Sequence, residues 1–290
     1  MNWSFIWRKT GILSDREIKN LLGDKIYIWP FSNKNLKGST YNLTASPIAW
    51  SITEEKIINN GEGKLPIASN DTVLIQTNEA IYVEKDICGT YHSKVKLVSK
   101  GLSHISTTLD PYFFGTSLIA VTNHSKKDIV IDVNDTFASL IFYKMASSSK
   151  LLHDNQAFRS DILPLNFTDK HIKDEITPAN KEKLLCEIKK WKEAEWRIEK
   201  DHLIDIVKRK VREKNKIKNR SFLRKMCTGV LPIFIVIISI IILYNDSNLS
   251  IANSKNAILF PALCGLSGWI GKATYVFINL FKEEDEDNWN

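Results

Sequence analysis

The chain has 290 residues, 43 % hydrophobic and 25 % charged, with a formal net charge of +7; that is room for one ordinary globular domain with appendages. Its four cysteines, Cys88, Cys186, Cys227 and Cys264, form no CxxC pair and have no histidine at ligand spacing; this excludes a zinc site and calls for no oxidising compartment. The opening "MNWSFIWRKTG" lacks the long apolar core of a signal peptide. Much of the positive charge precedes an apolar run, and a basic balance so placed favours a membrane surface over nucleic acid.

The first predicted element is a helix. Ser14 is a good N-cap, Glu17 follows three residues later, and Ile18, Leu21 and Leu22 make its apolar side. A β-rich region follows to residue 146. "DTVLIQTNEAIYVEK" is a strand rich in β-branched residues, and "KVKLV" alternates from Lys94 to Val98, which predicts a strand with Lys94 and Lys96 on one face. "GLSHISTTLDPYFFGTSLIAVTNHSKKDIVI", residues 101–131, reads as strand, turn at Asp110-Pro111, strand, and turn at Asn123. "DIVIDV" and "FASLIFYKM" close the set. Turn signals every eight to twelve residues point to a compact barrel or sandwich.

After a linker, 147–176, Thr177-Pro178 opens a second helical region, with Thr as cap and Pro at the first helical position. Residues 177–225 predict a long helical stalk. Leu184, Ile188, Trp191 and Ile198 share one side; Leu203, Val207 and Val211 continue the apolar stripe in shifted phase. As one helix, some 45 residues would reach roughly 70 Å; the alternative is a helix folded back on the β-region.

A two-span membrane hairpin is predicted over 226–281. Met226–Tyr244 is uncharged, and Ala257–Phe281 is interrupted only by Lys272; each matches the ~20 residues that cross a bilayer core. Lys216, Lys218, Arg220, Arg224 and Lys225 precede the first span, and only Asp246 and Lys255 carry charge between the spans. The positive-inside rule then places the β-region, the stalk and the acidic tail, 282–290, in the cytoplasm. Gly265, Gly268 and Gly271 form a strip on which helices can pack closely. Lys272 either lines a pore or snorkels to the headgroups.

"GILSDREIKNLL" with "LKGSTYNLTAS", then "ICGTYHSKVKLVSKGL", "ISTTLDPYFFGTSLIAVTN" and "DVNDTFASLIFYKM" resemble, in order, the motifs of the dCTP deaminase and dUTPase-like superfamily. The resemblance covers residues 10–146. It implies a mainly-β distorted barrel, in a chain α+β overall, assembling as a trimer with nucleotide sites between subunits. It also places the family's reactive positions on this chain. The deaminase glutamate, ten positions after the turn aspartate, falls on Ala120, and the serines of the Arg-Ser-Ser segment fall on Val95 and Lys96. Two family arginines fall on Ser99 and Thr108. Asp110 matches the aspartate that positions the attacking water in dUTPases, although Asp-Pro is also an ordinary turn starter.

Lys94, Lys96, Ser99, Thr108, Asp110 and Tyr112 are therefore the nucleotide-binding candidates. The lysines act as point charges rather than forked donors, and Tyr112, Phe113 and Phe114 either stack on a base or pack in the core. His92 and His104 are expected to be packed or hydrogen-bonded. Losing an acid–base group worth 10²–10⁴ in rate removes deamination by the family route. No resident metal or cofactor is expected; Mg²⁺ enters only with a bound triphosphate.

Two readings follow. One is a nucleotide-sensing effector anchored in a bacterial inner membrane: a homo-oligomer whose β-domain controls a transmembrane pore or membrane-disrupting assembly. Anti-phage defence suits that architecture, with a partner protein supplying the nucleotide signal. The alternative is a membrane-tethered dUTPase- or deaminase-like hydrolase using Asp110. A barrel that serves only to trimerise is the ligand-free option.

Overall fold

The computed structural model describes residues 10–104, 107–151, 162, 167–197 and 199–225. Its strands are β1 (Gly11–Ile12), β2 (Ile26–Trp29), β3 (Leu36–Lys37), β4 (Thr40–Ser51), β5 (Lys56–Ile57), β6 (Lys64–Ile67), β7 (Thr72–Val83), β8 (Ile87–Ser93), β9 (Leu102–His104), β10 (Thr108–Leu109), β11 (Phe114–Asn123), β12 (Ile129–Asp132) and β13 (Thr136–Lys144). The helices are α1 (Asp15–Leu21), α2 (Val95–Val98), α3 (Pro178–Lys192) and α4 (Lys200–Lys225). One 11-stranded antiparallel sheet runs β10-β8-β13-β4-β7-β11-β9, with β1 on β13, β2 on β7, and β3 and β5 on β4; β6 and β12 pair separately.

The sheet curls because β4 changes partner along its length. It pairs with β13 over Tyr41–Thr44 and with β7 over Ala45–Ser51, with a register break between Ala45 and Ala49. Pro47 sits in that break. It has no N–H to give a ladder, so it belongs at an irregularity; its carbonyl accepts from Asn59 Nδ2 at 3.0 Å. One core buries Ile28, Tyr41, Leu43, Ile75, Ile81 and Leu140 together.

Helix α1 forms as its sequence directs. Glu17 N–H donates to Ser14 Oγ at 3.3 Å, Ser14 N–H donates to Glu17 Oε2 at 3.0 Å, and Ile18 is fully buried. Ser14→Ala is expected to cost about 1 kcal/mol in a denaturant melt; an unchanged midpoint would mean that the cap is idle.

Two expectations are corrected. "KVKLV" is not a strand: Val95–Val98 is one helical turn, with Val98 N–H donating to Lys94 C=O at 3.0 Å and Ser99 N–H to Val95 C=O at 2.9 Å. The apparent alternation misled because only Leu97 of the turn packs on the core, while Val95 is 84 % exposed. Lys94 caps the turn and Lys96 lies within it, so the two do not share a strand face.

Nor is 177–225 a single rod. Thr177 caps α3 as expected, its Oγ1 accepting from Asn180 N–H at 3.4 Å, but the helix stops at Lys192 and a 3-10 turn, Glu195–Arg197, precedes α4. On an ideal helix Leu203, Ile206 and Val207 would lie roughly a quarter turn round from Leu184, Ile188 and Trp191, so a straight rod would not present both sets to one surface. The break re-aims them. Leu184, Ile188 and Trp191 pack with Ile48, Ile57 and Ile172, while Leu203, Ile206 and Val207 enter the main core.

Glycines mark both contacts. A Cβ on Gly61 (φ +76°) would stand 2.4 Å from the Asn180 carbonyl oxygen, and one on Gly23 (φ +80°) would stand 2.9 Å from Val211 Cγ2. The chain divides after Val211 into two compact units, and Arg212–Lys225 is the described part of the second. Among the described residues no helix is long and apolar enough to cross a membrane. The predicted spans, with Gly265, Gly268, Gly271 and Lys272, lie outside the described residues, as do the acidic tail and residues 152–161 and 163–166 of the linker.

Candidate functional site

The predicted nucleotide-binding residues fall into two groups. Lys94 and Lys96 stand at α2, and Ser99 ends that turn with its Oγ donating to the Lys96 carbonyl at 3.1 Å. Burial lowers the pKa of the Lys94 ammonium; the positive charges of Lys37 and Lys96 lower it further, and Asp135 opposes them. The second group follows β10, where Thr108 pairs with Thr90. Asp110 C=O accepts from Phe113 N–H at 3.1 Å, closing the Asp-Pro turn, and Tyr112 (φ +63°) donates its N–H to Val83 C=O at 3.0 Å.

The charge of Asp110 bears on Cys88 and on Tyr91, whose buried hydroxyl bonds Ser117 Oγ at 2.6 Å. Burial is the main cause of the raised pKa at both Cys88 and Tyr91. The two groups thus have different electrostatic neighbours within one chain. Phe113 and Phe114 are partly buried against the core, which is the packing alternative for them. His104 bonds Ser93 Oγ through Nδ1, and burial holds its pKa below the ordinary histidine value. His92 Nε2 pairs with Thr90 Oγ1 at 2.9 Å.

A second locality was not anticipated. A cavity of about 430 Å³ opens between the β2–β3 segment, the start of β4, β7 and the α3–α4 junction, lined among others by Trp29, Asn78, Glu79, Trp196 and Arg197. Glu79 is buried, and both its oxygens are engaged by one residue: Oε2 accepts from Thr44 N–H and Oε1 from Thr44 Oγ1, each at 2.9 Å. Burial pushes its carboxyl up to about 7 against these hydrogen bonds and the charge of Arg197.

Arg197 is 5 % exposed, and its Cζ lies 3.3 Å from the Trp191 ring centroid and 4.0 Å from that of Trp196. Its Nη2 donates to Asn78 C=O at 3.3 Å; Nε and Nη1 are buried with no hydrogen-bond partner among the described residues. Burial pushes the guanidinium down, and Glu79 partly offsets this. Among the described residues no group of three or more His, Cys, Asp or Glu side chains is placed to hold a metal ion.

Residues 12–145 match the dCTP deaminase-like family model. The N-terminal half is a dCTP deaminase-like domain. It is 28 % identical over 140 residues to the dCTP deaminase of Thermococcus sibiricus, covering 48 % of this chain and 86 % of that protein. Over 126 residues it is 27 % identical to the dCTP deaminase of Pyrococcus abyssi, covering 43 % and 81 %. Among solved structures, the 2'-deoxycytidine 5'-triphosphate deaminase of Agrobacterium tumefaciens aligns with a TM-score of 0.42 at 12 % identity, over 47 % of this chain and 50 % of that one. The native dUTPase of EIAV aligns with a TM-score of 0.33 at 19 % identity, over 45 % and 98 %.

Within the dCTP deaminase-like domain Ala120 lies on β11 opposite Leu74. Strand alternation puts it on the face of Leu118 and Leu74, and both of those pack against the cluster that α3 caps. A methyl group at that position can neither accept nor donate a proton. Glu79 and Arg197 were missed because neither carries a motif; the fold brings them together from β7 and from beyond the deaminase-like domain. "WKEAEWR", an arginine beside two tryptophans, was the one available signal, through its capacity for cation–π stacking.

Proposed function

We propose that the chain is a nucleotide-sensing effector in which a deaminase-like domain binds a nucleotide without deaminating it. The observation that carries this reading is Ala120 within residues 12–145: the family match is intact while the position that the resemblance gives to the proton-shuttling glutamate holds a methyl group. Binding falls to Lys94, Lys96, Ser99, Thr108, Asp110 and Tyr112. These form two groups within one chain, and a homo-oligomer, a trimer by the family resemblance, brings the α2 residues of one subunit to the Asp110 turn of another. Mg²⁺ accompanies a bound triphosphate and has no resident cage.

The uncharged run Met226–Tyr244 and the apolar stretch Ala257–Phe281 support anchoring in a bacterial inner membrane, with the deaminase-like domain on the cytoplasmic side. Gly265, Gly268, Gly271 and Lys272 then build the packing and pore surface of a membrane-permeabilising assembly. A nucleotide made by a partner during phage infection is the signal this arrangement suits. The physical requirement is a ligand that binds two states of the oligomer with different affinity.

The test is dye release from liposomes carrying the full chain, on addition of a panel of deoxynucleoside triphosphates and cyclic or oligomeric nucleotides. Release triggered by one member, and weakened by Lys94→Ala, is expected. No response to any member overturns the effector reading. Hydrolysis of dUTP with Mg²⁺ that is lost on Asp110→Asn replaces it with the hydrolase.

A further inference from the structure

The cavity at the α3–α4 junction contains none of the residues assigned above to nucleotide binding, and Arg197 lies beyond the matched residues 12–145. Its hydrogen-bonding capacity is one-sided. The two oxygens of Glu79 are taken by Thr44, and Asn78 Nδ2 is shared among Thr44 Oγ1, Ala45 C=O and Asn134 Oδ1 at 2.8–3.2 Å. Arg197 keeps two buried donor nitrogens with no partner among the described residues. A buried, unmet donor on a charged group loses its water without replacement, so such a site calls for an acceptor.

The walls are aromatic: Trp29 and Trp196 line the space, and Lys210 Nζ lies 5.7 Å from the Trp29 ring centroid, adding a second positive charge nearby. The volume of about 430 Å³ is within the range of small-molecule pockets.

We infer that this cavity is a second ligand site, which takes a small molecule with a flat ring through a carboxylate or phosphate group bound by Arg197. A charged acceptor on a guanidinium gives the stronger class of hydrogen bond, and the ring lies against the indoles. Glu79 holds Thr44 and so shapes the floor, leaving the recognition charge to Arg197. Because Arg197 sits in the turn that re-aims α4, an occupant ties that junction to β7 through Asn78. The ligand therefore acts on the helical region rather than at the Asp110 turn.

The test titrates the full chain with inorganic phosphate, benzoate, dCMP and deoxycytidine, read by calorimetry and thermal shift. Benzoate or dCMP is expected to bind, with deoxycytidine, which lacks the oxyanion, about tenfold weaker or more than dCMP. Phosphate alone shows whether the ring is needed, and benzoate against dCMP tells carboxylate from phosphate. Arg197→Gln is expected to lose binding by a similar factor. Ser32→Phe, at another residue that lines the cavity and whose side chain makes no cap hydrogen bond, leaves Arg197 in place and is expected to lose it with the ligand-free melting temperature kept.

Retained binding in both variants overturns the inference, as does no binding of any oxyanion to the wild type. If dCMP binding is lost in Lys94→Ala but kept in Arg197→Gln, the phosphate is read at α2. The second site then fails while the nucleotide reading stands.

Discussion

Leu203→Ala is expected to destabilise the chain by about 2–5 kcal/mol, the range for deleting a fully buried leucine side chain and leaving a cavity. Leu203 has no exposed surface; it and Val207 pack in the same core as Ile28 and Leu43, well before them in the chain. Ile217, further along α4, is 69 % exposed, and Ile217→Ala is expected to shift stability by no more than about 0.5 kcal/mol. A denaturant melt of the full chain separates the two. Equal, small effects would mean that the first turns of α4 do not dock, and with them would go the α3–α4 junction and its cavity.

The second large effect is a pH dependence carried by Glu79. Its folded carboxyl is raised to about 7 from an ordinary 4.5 by burial. Between those values the folded protein keeps a proton that the unfolded chain has released. The stability is thus fully present below about pH 4.5 and falls as pH rises toward 7. The shift corresponds to roughly 3 kcal/mol lost across that window. The charged group that bears on it is Arg197, which favours the carboxylate; the Tyr41 hydroxyl, pushed up by burial and by Glu79, stays neutral across this window.

Glu79→Gln keeps the shape and removes the titration, since the Thr44 hydroxyl can turn to accept from the new amide. Relative to wild type, the variant is expected to gain stability steadily from pH 4.5 to 7.5 in melts at matched ionic strength. Parallel profiles would mean that Glu79 is ionised throughout.

Much of the β-domain was legible because its local signals agree with its tertiary fate. Ser14 and Glu17 formed their box, β7, β12 and β13 appeared where β-branched runs stood between turn signals, and Thr177-Pro178 opened α3. The failures share one cause. In "KVKLV" and in 177–225 the hydrophobic pattern was read as belonging to an isolated element, while the true partner of each apolar residue was decided by distant chain. Leu97 alone of its turn found the core, and the phase shift between Ile188 and Leu203 recorded a break rather than a drifting rod. The Glu79–Arg197 cavity was invisible for the same reason: a buried carboxylate and a buried guanidinium acquire meaning only once α3 and α4 have docked.

The residues predicted for nucleotide binding have different local settings in the fold. Asp110 closes its turn as the Asp-Pro pair suggested, yet Lys94 and Lys96 occupy a helical turn with other neighbours.

The most direct measurement is a calorimetric titration of the full chain with dCTP and dUTP, with products of the same samples resolved by chromatography. The account requires saturable binding of a deoxynucleotide, weakened by Lys94→Ala, and no formation of dUTP from dCTP above the uncatalysed background. Turnover of dCTP at an enzymatic rate by a chain with Ala120 in place, or the absence of saturable binding, would contradict it.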